Sequence, residues 1–77
     1  SNCLSIIILD SNNHIICDGN SLDLVQFYSY IKKWNPRKDS FVIIYCYKDS
    51  DINQLFQIIN AFGSLNIQRV FITSNVK

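Results

Sequence analysis

Glycine is almost missing from this chain. Its 77 residues contain two, Gly19 and Gly63, too far apart to form GxGxxG or a P-loop, which excludes the usual glycine-rich phosphate cradle. The single histidine, His14, rules out HExxH and leaves the three cysteines without a Cys/His zinc spacing; GxSxG is also missing. Methionine is absent. Because translation begins with Met, the chain is expected to be an excised fragment, with Ser1 and Asn2 a cloning remnant and residues 3–77 a single domain. No apolar run approaches the ~20 residues that cross a bilayer, and no signal-peptide pattern is visible.

Charge is scarce too, at 17% of residues with a net of +1. Lys32, Lys33, Arg37 and Lys38 form one short cluster where a helix should end, and cations there complement the helix dipole. No basic stripe exists, so nucleic-acid binding is not expected.

What the chain has is apolar bulk. Hydrophobic residues make up 48%, with five Phe, four Tyr and one Trp, so the composition is that of a folded domain with apolar surface to spare for a partner. A domain this short buries only about 60–65% of its unfolded surface, so its stability should be modest. Cys3, Cys17 and Cys46 lie in or beside strand-like runs and read as buried thiols acting as small hydrophobes. An oxidising compartment would allow two of them to pair.

Along the chain, residues 4–9 (LSIIIL) and 14–17 (HIIC) read as two strands of an antiparallel hairpin, joined through Asp10, Ser11, Asn12 and Asn13. Asp18, Gly19, Asn20 and Ser21 break the second strand. Asn20 or Ser21 is the expected helix cap, with Asp23 in the first turn. Leu24, Phe27, Tyr28 and Ile31 recur at helical spacing, Trp34 should fold back onto the core, and Asn35-Pro36 stops the helix. Residues 41–47 (FVIIYCY) form the strongest strand and should be central. Asp49, Ser50 and Asp51 are a second capping cluster. Ile52, Leu55, Ile59 and Phe62, with Ile58 beside them, mark a second amphipathic helix, ending near Gly63 or Asn66. Residues 70–73 (VFIT) close the chain as a strand. The fold class is α/β in the two-layer α+β sense: a small mixed sheet with two helices, in the order ββαβαβ.

No constellation carries recognisable catalysis. Asp49 and Asp51 resemble a carboxylate pair but stand where helix caps belong. Asp10 and Asp18 flank the first hairpin as turn residues. His14 has no nucleophile or orienting group placed beside it by sequence. No cofactor, metal or catalytic residue is assigned.

The stretch FVIIYCYKDSDINQLFQIINAFGSLNIQRVFITS resembles the C-terminal part of the ExbD/TolR family. There a strand ends in a short acidic turn, here Asp49-Ser50-Asp51. A helix with paired aliphatics follows, here Ile58-Ile59. After a tight turn, at Asn66-Ile67, a basic residue opens the terminal strand, as in Arg69-Val70 and Ile72-Thr73. The upstream hairpin and Asp18-Gly19-Asn20 fit as well, so the resemblance covers nearly all of residues 3–75. Asn53-Gln54 replaces the family's usual Pro-Tyr.

The resemblance implies a non-enzymatic periplasmic domain, anchored to the inner membrane by a helix upstream of this chain. Its job would be to couple a proton-driven ExbB/TolQ-like motor subunit to a TonB-like or Pal-like partner. It also implies weak homodimerisation. A small mixed sheet leaves edges that can accept a strand. The candidate partner or dimer edge is Ile6, Ile7, Ile8 and Leu9 in the first strand, with Val70, Phe71, Ile72 and Thr73 in the last. Ser21, Asp49 and Asp51 are the expected helix caps. The alternative, which free thiols would suit, is a cytosolic ligand- or protein-binding regulatory module. A small enzyme, with Asp49, Asp51 and His14 its only tools, is the third reading.

Overall fold

A computed structural model describes residues 3–8, 14–34, 36–37, 39–47 and 51–73. The elements are β1 (Cys3–Ile8), β2 (Ile15–Cys17), β3 (Asn20–Leu22), α1 (Leu24–Lys33), β4 (Phe41–Cys46), α2 (Ile52–Ser64) and β5 (Val70–Thr73). They form one five-stranded mixed sheet in the order β3-β2-β1-β4-β5, with two helices, so the α/β class stands.

The element order differs from ββαβαβ by one extra strand before the first helix. Asp18 and Gly19 both have positive φ, 48° and 84°. That is the backbone of a two-residue hairpin turn whose twist matches the flanking strands, and Asp-Gly is among its preferred sequences. The chain therefore turns straight back, pairing Cys17 with Asn20 and Ile16 with Ser21. Ser21 is a strand residue, not a helix cap. The cap of α1 is Asp23, whose carboxylate accepts from Gln26 N at 2.8 Å while Gln26 Oε1 accepts from Asp23 N at 2.9 Å, a reciprocal capping box.

β1 pairs antiparallel with β2 and parallel with β4, and β4 pairs parallel with β5. Leu4 lies opposite Val42, Ile6 opposite both Ile44 and Cys17, and all five are buried. Strand side chains alternate between faces, so these residues mark the core face. Phe27 and Ile31 of α1 and Ile58 and Phe62 of α2 complete the core. Phe27 touches Phe62, so the helices lie side by side on this one face. On the other face Ile16, Phe41, Ile43 and Tyr45 are half-buried and Phe71 is exposed, with no helix over them among the described residues.

α2 is amphipathic, but its buried stripe is rotated from the expected one. Gln54, Ile58 and Phe62 face the sheet, Leu55 and Ile59 are half-buried, and Ile52 is 61% exposed. Asp51 caps the helix, accepting from Asn53 N at 2.9 Å. Asp49 lies outside the described residues. Gly63 is inside the helix, and Asn66, at φ 61°, supplies the left-handed residue that turns the chain out of it. Trp34 folds back onto the core as expected, 6.4 Å from Phe62 between ring centroids.

Candidate functional site

The two sheet edges differ in chemistry. β3, at one edge, is Asn-Ser-Leu between the Asp18-Gly19 turn and Asp23. Polar and charged residues of this kind discourage strand addition. β5, at the other edge, is Val-Phe-Ile-Thr, with no charge or proline within it. Its outer backbone groups are a template for another strand.

Register assigns the β5 side chains to faces. Val70 lies opposite Val42 and Ile72 opposite Ile44, so both belong to the helix face. Phe71, opposite Ile43, belongs to the open face, where its ring meets Phe41 edge to face at 6.2 Å. Ile72 and Phe71 are nevertheless 49% and 53% exposed, because no strand among the described residues lies beyond them.

α2 extends this apolar edge. Gln57, Ala61 and Ser64 line a groove shared with α1, which packs over β2 and β3 at the far side of the sheet. At 3.6 residues per turn, Ile52 and Ile59 then project from the opposite flank, on the β5 side, while Phe56, about 160° round the helix from Ile58, points away from the sheet. Phe56 is 54% exposed. Ile52 on the helix, Ile72 on its own face of β5 and Phe71 on the other give this edge an apolar border.

The residues expected at an edge are thus divided. Ile6, Ile7 and Ile8 lie in β1, the middle strand, paired on both sides by β2 and β4, so they cannot accept a partner strand. Sequence could not order the strands, and a terminal position in the chain need not be a terminal position in the sheet. Leu9 lies outside the described residues. Val70, Phe71, Ile72 and Thr73 are at the β5 edge. The exposed Ile52 and Phe56 were assigned to no surface by sequence. Ile52 falls in the apolar pattern of α2, which by itself does not say which flank is covered.

Clefts indent the helix layer and the strand-start end. A groove of about 440 Å³ between the helices is lined by Tyr28, Ile31, Lys32, Gln57, Asn60 and Ala61, among others. A cleft of about 370 Å³ lies between the α1–β4 and α2–β5 connections and is lined in part by Arg37, Ser40, Gln68 and Arg69.

The remaining candidates take structural places. His14 is exposed just before β2. Asp18 ties β1 to α1, accepting from Ser5 N at 3.3 Å and from the Tyr30 hydroxyl at 3.2 Å. Asp10 lies outside the described residues, and no three metal-ligating side chains cluster among those described. None of the three cysteines is in a disulfide. Cys17 and Cys46 are buried on strands separated by β1, Cys17 level with Ile6 and Cys46 with Ile8, so they are two strand spacings (~9.5 Å) apart across the sheet and two residues apart along it, too far to bridge. Burial, then the negative charge of Asp18, pushes the Cys17 thiol up to about 12, and burial also raises Cys46. Neither is an activated nucleophile.

No family model, curated protein or solved structure matches the chain. Among the described residues, no helix is long and apolar enough to cross a membrane.

Proposed function

We propose that this chain is a non-enzymatic coupling domain of the ExbD/TolR kind, working by strand addition at the β5 edge. The observation that carries the reading is the contrast between the two edges. β3 is polar and flanked by Asp18 and Asp23, while β5 carries no charge within it and exposes Phe71 and Ile72. A partner strand would gain backbone hydrogen bonds from β5 and pockets for alternate side chains from both faces. In this reading the domain is periplasmic and tethered by an upstream helix. It takes a strand from a TonB-like or Pal-like protein, and an ExbB/TolQ-like motor subunit drives it. A second copy of the chain would compete for the same edge as a weak homodimer. A four-residue strand with a few apolar neighbours puts the contact in the small, transient class of interfaces.

Sedimentation equilibrium to millimolar protein tests the reading, with Ile72→Lys alongside. Reversible self-association that the substitution abolishes, with helix content retained, is the expected result. A strictly monomeric wild type, or association indifferent to Ile72→Lys, would overturn it.

A further inference from the structure

Each helix–strand crossover brings one arginine to the same end of the domain. Cys3 lies opposite Phe41 and Val42 opposite Val70, so β1, β4 and β5 all begin there. α1 runs back to this end and finishes with Lys32 and Lys33. Arg37 lies between α1 and β4, and Arg69 between α2 and β5. They are the only arginines in the chain, and both line the 370 Å³ cleft.

The cleft has fixed walls. Ser40 is buried, its hydroxyl accepts from Arg37 N at 2.6 Å, and its own N–H donates to Arg37 O at 3.0 Å. Val42 N donates to Arg69 O at 2.9 Å, which joins the start of β4 to the opposite wall. That wall is held by Asn66 N to Gly63 O at 3.0 Å and Ile67 N to Phe62 O at 3.1 Å. Both arginine backbones are thus positioned by hydrogen bonds while their side chains are exposed. Gln68 adds an amide to the lining, and no carboxylate lines the cleft among the described residues. Asp39 is the one described acidic residue in these connections; Asp23 and Asp51 are helix caps at the other end of the domain.

We propose that the Arg37–Arg69 cleft is a binding site for a phosphate group, presented by an anionic phospholipid headgroup or by a soluble organic phosphate. Two guanidinium forks from separate walls suit an anion with three or four acceptor oxygens and up to two negative charges. A carboxylate offers two oxygens and one charge, which a single fork satisfies. The location favours the headgroup. An anchor entering upstream of Cys3 would turn this cationic end toward the bilayer; that orientation rests on the coupling reading, whereas the cleft and its charge do not.

Arginine Nε–H signals in proton–nitrogen spectra report on the site directly. Inorganic phosphate and glycerol 3-phosphate should move the Arg37 and Arg69 signals together along one saturable curve, while acetate and chloride at matched ionic strength should not. Arg37→Gln and Arg69→Gln should each weaken binding by about tenfold or more, and Lys33→Gln should change it less than about twofold. Arg→Lys at either position, which keeps the charge but loses the fork, gives the same comparison if a glutamine variant fails to fold. Equal shifts with acetate, or an Arg69 response unaltered in Arg37→Gln, would overturn the site.

Flotation with phosphatidylglycerol and phosphatidylcholine vesicles separates the sources. Binding to the anionic vesicles alone, lost in the double Gln variant, assigns the headgroup. Saturable glycerol 3-phosphate binding without flotation assigns a soluble phosphate. Flotation indifferent to both arginines overturns the headgroup assignment. A failed coupling reading, shown by a strictly monomeric domain, would leave the phosphate response intact.

Discussion

Phe27 of α1 and Phe62 of α2 meet edge to face, their ring centroids 5.8 Å apart and their planes at 81°. Trp34 meets the same Phe62 ring at 6.4 Å and 87°. Phe62 is therefore the point where both helices and the end of α1 are held together, over Leu4, Ile6, Val42 and Ile44 of the sheet. Each such ring pair adds roughly 0.5–1.5 kcal/mol beyond its area burial.

Phe62→Ala should therefore cost about 3–5 kcal/mol, the usual range for a buried aromatic. A domain of this length has only about 4–12 kcal/mol to lose, so the variant should be partly unfolded at room temperature. Urea titration followed by Trp34 fluorescence measures it, since Trp34 is the only tryptophan and touches the altered side chain. A loss below about 1 kcal/mol would mean that the helices do not depend on this contact.

Gln54 should be a site of easy stabilisation. Its side chain is 1% exposed, and neither its amide nitrogen nor its oxygen has a hydrogen-bond partner. Burying an unpaired amide costs about 1–3 kcal/mol, so Gln54→Met, of similar length without that cost, should raise stability by about 1–2 kcal/mol. In a domain this small that is a rise of about 4–8 °C in Tm per kcal/mol. A lower Tm would show that the amide is doing something the packing does not reveal.

The helix caps Asp23 and Asp51 should behave as caps and nothing else. Asp23→Ala removes a reciprocal pair of hydrogen bonds and Asp51→Ala a single one, so each should cost about 0.5–2 kcal/mol, the first more than the second. Denaturation midpoints measure this. Loss of partner binding with stability unchanged would instead make Asp51 a functional carboxylate.

Stability should fall in alkali, with the buried thiols setting the window. Cys17 rises from an ordinary 9.0 to about 12, and Cys46 is raised as well. Below pH 9 both thiols are protonated in the folded and unfolded states, so they add no pH dependence. From about pH 9 the unfolded chain releases protons that the folded one keeps. Each such thiol then lowers the unfolding free energy by about 1.4 kcal/mol per pH unit, until its folded form ionises too. Tyr30, raised by burial and by Asp18, adds to the loss above pH 10. Urea midpoints at pH 8, 9.5 and 10.5 should decline in that order. Serine at position 17 should flatten the curve, and a flat wild-type curve would refute the account.

Most elements were legible in the sequence because each is written locally. The runs LSIII, FVIIYC and VFIT are β-branched or aromatic, and all three are strands. Asp51 caps α2 because a carboxylate before an apolar-periodic run satisfies free backbone N–H groups. The one local miss, β3, was also written there: Asp18-Gly19 is a hairpin turn, and reading it only as a break moved the start of α1 to Ser21 instead of Leu24.

The sequence by itself determined periodicity, turn chemistry and caps, and through them a two-helix mixed-sheet domain. Three things were decided only in three dimensions. β1, first in the chain, became the middle strand, because β2 paired on one side and β4 on the other. The exposed flank of α2 was chosen by its neighbours: the sheet and the groove shared with α1 engaged two sides, leaving Ile52 and Phe56 uncovered. Arg37 and Arg69, ordinary loop cations in sequence, came to face one cleft because parallel strands begin at the same end of a sheet. Local rules act over a few residues, whereas edges and clefts are relations between segments distant along the chain, and packing alone brings those together.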